Sequence, residues 1–197
     1  MARKIVVANQ KGGVGKTTTS VNLASALAVM EKNVLVVDCD PQANATSGLG
    51  LDPNSFSKNL YTVFFEPDKA KEVIFETTSK YVYIMPSSQD LVGVEIELVD
   101  KMGREYFLQE VVDQVDEHFD YIIMDCPPSL GLLTLNALCA AKELLIPLQC
   151  EYFALEGIVK LLQTFEQVKK RLNPSIELLG VLLTMYDVRN KLSRQVR

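Results

Sequence analysis

The residues with the clearest chemical potential form a glycine-rich run near the amino terminus, KGGVGKTT. Gly12, Gly13 and Gly15 permit backbone torsions that are closed to other residues, so successive N–H groups can converge on an anion. The Lys16 ammonium can neutralise the β- and γ-phosphates of a nucleotide, and the Thr17 hydroxyl can ligate Mg²⁺. The run therefore predicts a phosphate-binding loop, with nucleotide contacts from Gly12, Gly13, Val14, Gly15, Lys16, Thr17 and Thr18.

Two features of this loop depart from the usual G-x-x-x-x-G-K-[ST] pattern. Gln10 stands where the first glycine is expected, and a second lysine, Lys11, precedes Lys16 by five residues. Gln10 only has to leave the preceding strand, so the missing glycine matters little. One lysine is enough to hold a phosphate, and the pattern therefore does not explain Lys11.

Carboxylates follow two apolar runs further along the chain. VVDCD places Asp38 and Asp40 after one run, and YIIMD places Asp125 after another. In an extended chain Asp38 and Asp40 point to the same side, and the carboxyl ends of parallel strands face the ligand crevice. Each aspartate alone could simply cap a turn or a helix. Three of them behind a phosphate loop predict a Mg²⁺ site, with Asp125 in the Walker B position.

The elements that must position these residues follow from hydrophobic patterning. Runs rich in Val, Ile and Leu with little alternation predict strands covered on both faces, at 4–9, 33–38, 82–86, 120–125, 143–148 and 178–185. Helical periodicity predicts helices over 17–31, 105–117 and 154–172. Residues 50–80 are less regular and predict short helices over one edge. The fold class is therefore α/β, a doubly wound, mostly parallel sheet with helices on both faces.

Composition narrows the function classes. The 197 residues, of which 48% are hydrophobic, suit one globular domain, and no apolar run is long enough to span a bilayer. The amino terminus lacks a signal-peptide layout, so we expect a cytoplasmic protein. A formal net charge of -5 argues against non-specific DNA binding, although 169–171 and 188–197 are locally basic. With one histidine and no C-x-x-C pair, we expect no zinc or iron–sulfur site within one chain.

Three segments resemble one protein family: KGGVGKTT with both lysines, DCDPQANATSGLG and DCPPSLG. They look like the ParA/Soj-type partition ATPases, in the MinD/ParA branch of P-loop proteins. PLQCEYFALEG and LLTMYDVRNKLSRQV are also similar to that family, and the resemblance runs from residue 2 to the last residue. It implies a P-loop NTPase fold and a slow, Mg²⁺-dependent ATPase of chromosome or plasmid partition. Ala43 stands where the family commonly has glycine, which we expect to be tolerated.

The resemblance also implies an ATP-bound sandwich dimer with three catalytic residues. Lys11 would match the signature lysine that reaches the partner subunit's nucleotide, beside Lys16 of the loop itself. Asp40 would match the residue that positions or activates the attacking water. Asp38 and Asp125 would support Mg²⁺ through its waters, and Thr17 would bind it directly.

Further expectations follow from the same resemblance. Glu151 would touch the partner's ribose, and Met185, with Tyr186, would lie near the adenine. Residues 40–49 and 125–131 would be the switch segments that sense the γ-phosphate.

The expected partners are a second copy of the chain, a ParB-like centromere-binding protein that stimulates hydrolysis, and non-specific DNA in the full-length protein. The expected location is cytoplasmic and nucleoid-associated, with no membrane contact. Family members usually continue some tens of residues further, with basic residues for DNA binding and a loop that closes over the adenine. We therefore expect residues 1–197 to be a single P-loop ATPase domain that lacks its C-terminal segment.

Other interpretations remain open at this point. A MinD-like ATPase that positions cell division at a membrane surface would need a C-terminal amphipathic helix, and the D-P-Q-x-N segment argues against it. A reductase or metal-cluster carrier of the same superfamily would need cysteine pairs that bridge a dimer. Cys126 follows Asp125 directly, but no second cysteine has a matching context. A module that binds nucleotide without hydrolysing it is equally compatible with the loop.

Overall fold

The computed structural model describes residues 1–150, 154–187 and 189. Within them, seven strands form one sheet, and each strand is followed along the chain by helical or turn segments. The strands are Arg3–Val7 (β1), Val34–Asp38 (β2), Phe75–Glu76 (β3), Val82–Met85 (β4), Tyr121–Asp125 (β5), Glu143–Gln149 (β6) and Glu177–Thr184 (β7). Their order across the sheet is β3-β4-β2-β5-β1-β6-β7. Every pairing is parallel except the short antiparallel contact between β3 and β4.

Helices connect these strands. They are Lys16–Val29 (α1), Asn44–Gly48 (α2), Leu60–Phe65 (α3), Leu91–Glu97 (α4), Phe107–Asp113 (α5), Leu132–Ala140 (α6) and Ala154–Arg171 (α7). Short 3-10 helices span Pro53–Ser55, Pro67–Val73 and Asp116–His118. None of the helices in the described part of the chain combines the length and apolarity needed to cross a membrane.

Two hydrophobic cores cover the two faces of the sheet. Successive strand residues alternate between them: Val6 packs with α3 to α7 on one face, and Val7 packs with α1 and α2 on the other. β2 and β5 alternate in the same way, which explains their continuous apolar runs. The predicted doubly wound, mostly parallel α/β fold is confirmed.

The predicted element bounds hold to different degrees. All six predicted strands are present, and each observed end lies within two residues of the predicted one. The predicted helix over 105–117 is too long, because the helix spans only Phe107–Asp113 and a 3-10 turn follows it. α6 was not predicted, because seven of its nine residues are buried and a helix that is apolar all round gives no amphipathic period. α4 was not predicted either, because it is short and carries apolar residues on two sides.

This topology sets the carboxyl ends of β2, β5 and β1 side by side. Asp38 pairs in register with Asp125, and Val7 pairs with Asp125 from the other side. The loop that leaves β1 therefore emerges next to both strand-end carboxylates. The ligand crevice of a parallel sheet lies at this edge.

The buried side chain of Asn173 lies at the C-terminal end of α6. The side-chain nitrogen of Asn173 donates to the carbonyl oxygens of Leu138 at 3.0 Å, Cys139 at 3.0 Å and Ala141 at 2.7 Å. These carbonyls belong to the end of α6, where the last turn of a helix leaves its acceptors without partners. The turn after α7 thus caps α6.

We expect Asn173→Asp to lower the free energy of unfolding by about 2–4 kcal/mol, because a carboxylate cannot donate to the three carbonyls and is buried against them. The matched control is Asn22→Asp on the exposed side of α1, where the amide bonds a single carbonyl. Its loss should stay within about 0.5 kcal/mol. Urea unfolding of both variants checks this, and equal losses would contradict the capping role.

Candidate nucleotide-binding site

The glycine-rich loop turns from β1 into α1 through two left-handed residues. Gly13 has φ 74° and Gly15 has φ 89°, a region that a side chain would strain. Val14 between them is buried and anchors the loop. Its carbonyl oxygen accepts a hydrogen bond of 2.8 Å from the Thr184 hydroxyl at the end of β7. The loop therefore turns its glycines toward solvent, and Val14 fixes it to the end of β7.

Asn9 fixes the start of the loop. It is buried, and its side-chain nitrogen donates to the Pro147 carbonyl of β6 at 2.7 Å. Its side-chain oxygen accepts the backbone N–H of Lys11 at 3.0 Å. This side chain joins the exit of β1 to the neighbouring strand and determines where the loop begins, a role that the sequence did not reveal.

Lys16 lies inside the loop with only 6% of its surface exposed. Its Nζ donates to the carbonyl oxygen of Lys11 at 3.0 Å. Burial lowers the pKa of Lys16, and the negative charges of Asp125 and Asp40 act in the opposite direction. A buried ammonium held by a neutral carbonyl gains strongly from an incoming phosphate, because a low-dielectric setting strengthens the attraction.

Asp125 is fully buried and binds two hydroxyl groups of α1. Its two carboxylate oxygens accept hydrogen bonds of 2.8 Å each, one from Thr17 and one from Ser20. Burial raises the pKa of Asp125 to about 6, although the two hydroxyl donors act to lower it. The bond orients the Thr17 oxygen beside the loop, where the sequence predicts a magnesium ligand.

Asp38 is also fully buried, and it organises the segment that follows β2. One oxygen accepts from the backbone N–H of Thr46 at 2.8 Å and from its hydroxyl at 2.7 Å. The other accepts from the N–H of Asp40 at 3.2 Å. Burial raises the pKa of Asp38 to about 7, the Thr46 bonds lower it, and nearby Asp125 raises it. Asp38 therefore holds residues 40–46 in place.

Unlike Asp38 and Asp125, Asp40 lines a cavity beside the glycine-rich loop. One carboxylate oxygen accepts the N–H of Gln42 at 3.0 Å, and the Asp40 carbonyl accepts the Ser87 hydroxyl at 2.6 Å. The Ser87 N–H also donates to the Thr46 hydroxyl oxygen at 3.3 Å. Ser87 thus joins the end of β4 to the segment that carries Asp40.

The cavity has a volume of about 370 Å³ and brings most of the predicted residues together. Asp38 and Asp125 are buried and contact its wall through hydrogen-bonded neighbours. Glu151 lies outside the described residues, so its predicted contact has no location here. The lining consists of Gly12, Gly13, Gly15, Lys16, Thr17, Thr18, Asp40, Gln42, Asn44, Pro128 and Met185.

The donors around this cavity fit a hard cation. They are oxygen atoms, the Thr17 hydroxyl and the Asp40 carboxylate at the wall, with the Asp125 carboxylate bonded to Thr17 behind them, and oxygen donors suit Mg²⁺. Among the described residues, no three His, Cys, Asp or Glu side chains are arranged to hold a metal by themselves. An ion at this site would therefore draw most of its ligands from phosphate oxygens and water, as Mg²⁺ commonly does.

The pKa of Asp38 leads to a stability prediction. Its carboxyl titrates near 3.8 in the unfolded chain and near 7 in the folded protein, so folding takes up a proton between those values. This group therefore lowers the free energy of unfolding as the pH rises through that window, by about 4 kcal/mol at most. Asn keeps a neutral acceptor for Thr46 and removes the titration.

We expect the unfolding free energy of Asp38→Asn, minus that of the wild type, to rise by about 2–4 kcal/mol between pH 4 and pH 8. The difference should be flat above about pH 8. Urea titrations in buffer without nucleotide and with a chelator measure it. Parallel pH profiles for the two proteins would show that Asp38 is already ionised at low pH.

Comparisons with known proteins agree with this geometry. A family model described as an AAA domain matches residues 2–178. The chromosome partitioning protein ParA of Myxococcus xanthus is 48% identical, over 100% of this chain and 69% of its own length. The sporulation initiation inhibitor protein Soj of Bacillus subtilis is 49% identical, over 100% and 78%.

Solved structures extend the likeness to three dimensions. The protein named cobyrinic acid a,c-diamide synthase from Mycobacterium smegmatis, with bound ADP and magnesium, matches with a TM-score of 0.95 and 42% identity, over 100% of this chain and 80% of its own. The septum site-determining protein MinD from Pyrococcus horikoshii, complexed with Mg-ADP, matches with a TM-score of 0.78 and 30% identity, over 98% and 73%. The resemblance seen in the sequence motifs is confirmed, and the chain belongs to the ParA/Soj family of partition ATPases.

Proposed function

We propose that this protein is a Mg²⁺-dependent ATPase of chromosome or plasmid partition that works as an ATP-bound sandwich dimer. Its ATP form binds DNA non-specifically, and a ParB-like centromere-binding protein stimulates its slow hydrolysis. The observation that carries the proposal is the cavity in which Lys16 of the glycine-rich loop, Thr17 and Asp40 meet. The partition names of relatives at 48% and 49% identity support the cellular role.

The residues of one subunit divide the nucleotide chemistry among them. The loop N–H groups and Lys16 bind the β- and γ-phosphates, and Thr17, held by Asp125, offers its oxygen to the metal. Mg²⁺, when bound, supplies charge neutralisation on the phosphate oxygens. Asp40 lines the cavity and accepts a hydrogen bond from the attacking water, which orients it toward the γ-phosphate. Met185 lies at the cavity wall and borders the adenine.

The exposed glycines of the phosphate loop leave room for a partner subunit to approach. A Cβ atom on Gly12 would meet nothing closer than the Pro128 side chain at 4.0 Å, and its φ is not left-handed. The fold of one chain therefore does not demand glycine there. Gly12 and Gly13 are both exposed, and small residues on an exposed loop let a second loop approach closely. Lys11 would then reach the γ-phosphate of the partner's nucleotide and stabilise the charge that develops in transfer.

The proposal also gives roles to Glu151, Asp38 and the basic side chains. Glu151 contacts the ribose of the partner's nucleotide, and Asp38 supports Mg²⁺ through water. Residues 1–197 form one P-loop ATPase domain, located in the cytoplasm at the nucleoid. DNA contacts come from basic side chains such as the last turn of α7, which carries Lys169, Lys170 and Arg171. The other basic stretch, 188–197, lies outside the described residues except for Arg189.

Two neighbours carry names of other functions. MinD shares 30% of its residues with this chain, and the named cobyrinic acid synthase shares 42%. Both values are below the identity to the partition relatives. Co-sedimentation of the full-length protein with liposomes and with DNA, each in the presence of ATP, separates a membrane-surface role from partition. ATP-dependent binding to liposomes and not to DNA would overturn the partition proposal.

Hydrolysis and nucleotide binding should respond to different substitutions. We expect Asp40→Ala to lower phosphate release at least about 100-fold while ADP still binds, because the water loses its orienting carboxylate. Lys16→Ala should abolish nucleotide binding itself. Asp68→Ala, remote from the cavity, is the control and should match the wild type. Normal turnover by Asp40→Ala would remove that residue from the mechanism.

Dimerisation should depend on Gly12 and Lys11 of the phosphate loop. We expect the full-length wild type to double its mass, by sizing with light scattering, with a non-hydrolysable ATP analogue and not with ADP. Gly12→Val and Lys11→Ala should remain monomeric with either nucleotide, while Lys32→Ala, in the exposed segment after α1, dimerises normally. Normal turnover by Lys11→Ala would contradict the role of this lysine in the partner's site.

A further inference from the structure

α4 and the turn after it present apolar side chains to solvent. Four of them form what we call the α4 face, and their exposed fractions are 62%, 75%, 55% and 98% in chain order. The first two are four residues apart on one side of α4, and the other two follow in the turn after the helix. The α4 face consists of Val92, Ile96, Val99 and Met102.

The opposite side of the same helix already contributes to the core. Leu91, Val94 and Leu98 are fully buried there. Helices on a globular surface usually keep one apolar side, so a second apolar side on so short a helix is unusual. Single exposed apolar residues need no explanation, but a contiguous set of them marks an interaction surface.

The surroundings of the α4 face are acidic. Residues 90–105 contain five acidic side chains and two basic ones. One of the basic ones, Arg104, is paired with Glu105 at 3.7 Å and donates to the Val99 carbonyl. We call the five acidic residues the rim of the α4 face; Asp90, Glu95, Glu97 and Asp100 are exposed, and Glu105 is half-buried.

The negative charge of the rim favours some binding partners of the α4 face over others. A second copy of the chain would bring an equally acidic rim against the first, and anionic lipid headgroups would be repelled in the same way. A segment with Lys and Arg beside its apolar side chains is complementary in both respects. Amphipathic helices that lay an apolar side into such a surface are a common recognition mode.

α4 is also bonded to the segment that carries Asp125. One carboxylate oxygen of Glu95 accepts the N–H of Leu132, the first residue of α6, at 2.8 Å. A Cβ atom on Gly131 would lie 2.0 Å from that oxygen, so glycine makes room for the contact. Asp125 is six residues before Gly131 along the chain, and Pro128 between them lines the nucleotide cavity.

We propose that the α4 face docks a basic amphipathic helix of a partner protein, and that Glu95 couples this docking to residues 125–131. The docking stands independently of the proposed ATPase function. The coupling rests on that function, because it is expressed as a change in nucleotide affinity.

The docking is tested with a fluorescent 18-residue peptide of Leu and Lys, with Leu at helical i, i+3, i+4, i+7 spacing. We expect Ile96→Ser to weaken its binding at least about 10-fold in fluorescence anisotropy. Val29→Ser, which changes a side chain that is 85% exposed on α1, should bind like the wild type. Circular dichroism confirms that each variant is folded.

A second pair of variants separates docking from general attraction to an acidic protein. Asp100→Lys and Glu117→Lys change the net charge equally, but only the first lies in the rim. We expect Asp100→Lys to weaken binding at least about 5-fold and Glu117→Lys less than about 2-fold. Equal effects, or equal binding of a peptide with Glu in place of Lys, would overturn the proposal.

The other occupants are measured directly. Binding of the wild type to phosphatidylcholine–phosphatidylglycerol vesicles, or its self-association by sedimentation equilibrium, overturns the proposed partner if Ile96→Ser abolishes it. Coupling is measured as the affinity for fluorescent ADP with and without the Leu/Lys peptide. We expect at least about a 3-fold change in the wild type and none in Glu95→Ala, which removes the acceptor for the Leu132 N–H.

The outcomes are distinguishable. Unchanged ADP affinity with the peptide bound would remove the coupling and leave the docking. A wild type that binds no ADP at all would contradict the proposed function, while the anisotropy measurement still decides the docking.

Discussion

Two carboxylates buried side by side at one edge of the sheet are the constraint on which the site depends. Asp38 and Asp125 lie in register on adjacent strands, and neither is exposed. Buried carboxylates are tolerated only when donors satisfy them, and here the side-chain donors come from two helices, α1 and α2. Thr17 and Ser20 of α1 bind Asp125, and Thr46 binds Asp38. The need to satisfy these oxygens therefore fastens α1 and the 40–46 segment to the sheet.

The same arrangement gives the three aspartates unlike roles. Asp38 and Asp125 use their oxygens inside the fold, whereas Asp40 meets the cavity. A rigid pair behind a more accessible carboxylate is a suitable support for positioning water, since a site works best when a second layer of hydrogen bonds locks the first. Thr17 belongs to both layers, because its hydroxyl contacts Asp125 and its residue lines the cavity. The resulting cavity wall is held by hydrogen bonds within the chain itself.

The sequence predicted those features that depend on local pattern. The six strands were identified because parallel strands buried on both faces give continuous apolar runs, and the loop because its glycines and lysines are contiguous. α6 was missed because uniform burial removes its period. Ser87 and Asn9 were missed because their partners, Asp40 and Pro147, are distant in the chain, and no local pattern encodes such a contact. Thr46 belongs to the recognised motif DCDPQANATSGLG, but its hydrogen bond to Asp38 is seen only in the folded chain.

The hydrogen bond between Thr184 and Val14 joins the two extremes of the described chain. During synthesis Val14 is made before its anchor Thr184, which follows 170 residues later in the chain. At elongation rates of about 5–20 residues per second that interval is roughly 10–30 s. During synthesis the phosphate loop therefore exists long before it is held, and the nascent chain completes its nucleotide site only when β7 joins the edge of the sheet. Translation order thus puts a delay between the synthesis of the glycine-rich loop and the formation of the bond that anchors it.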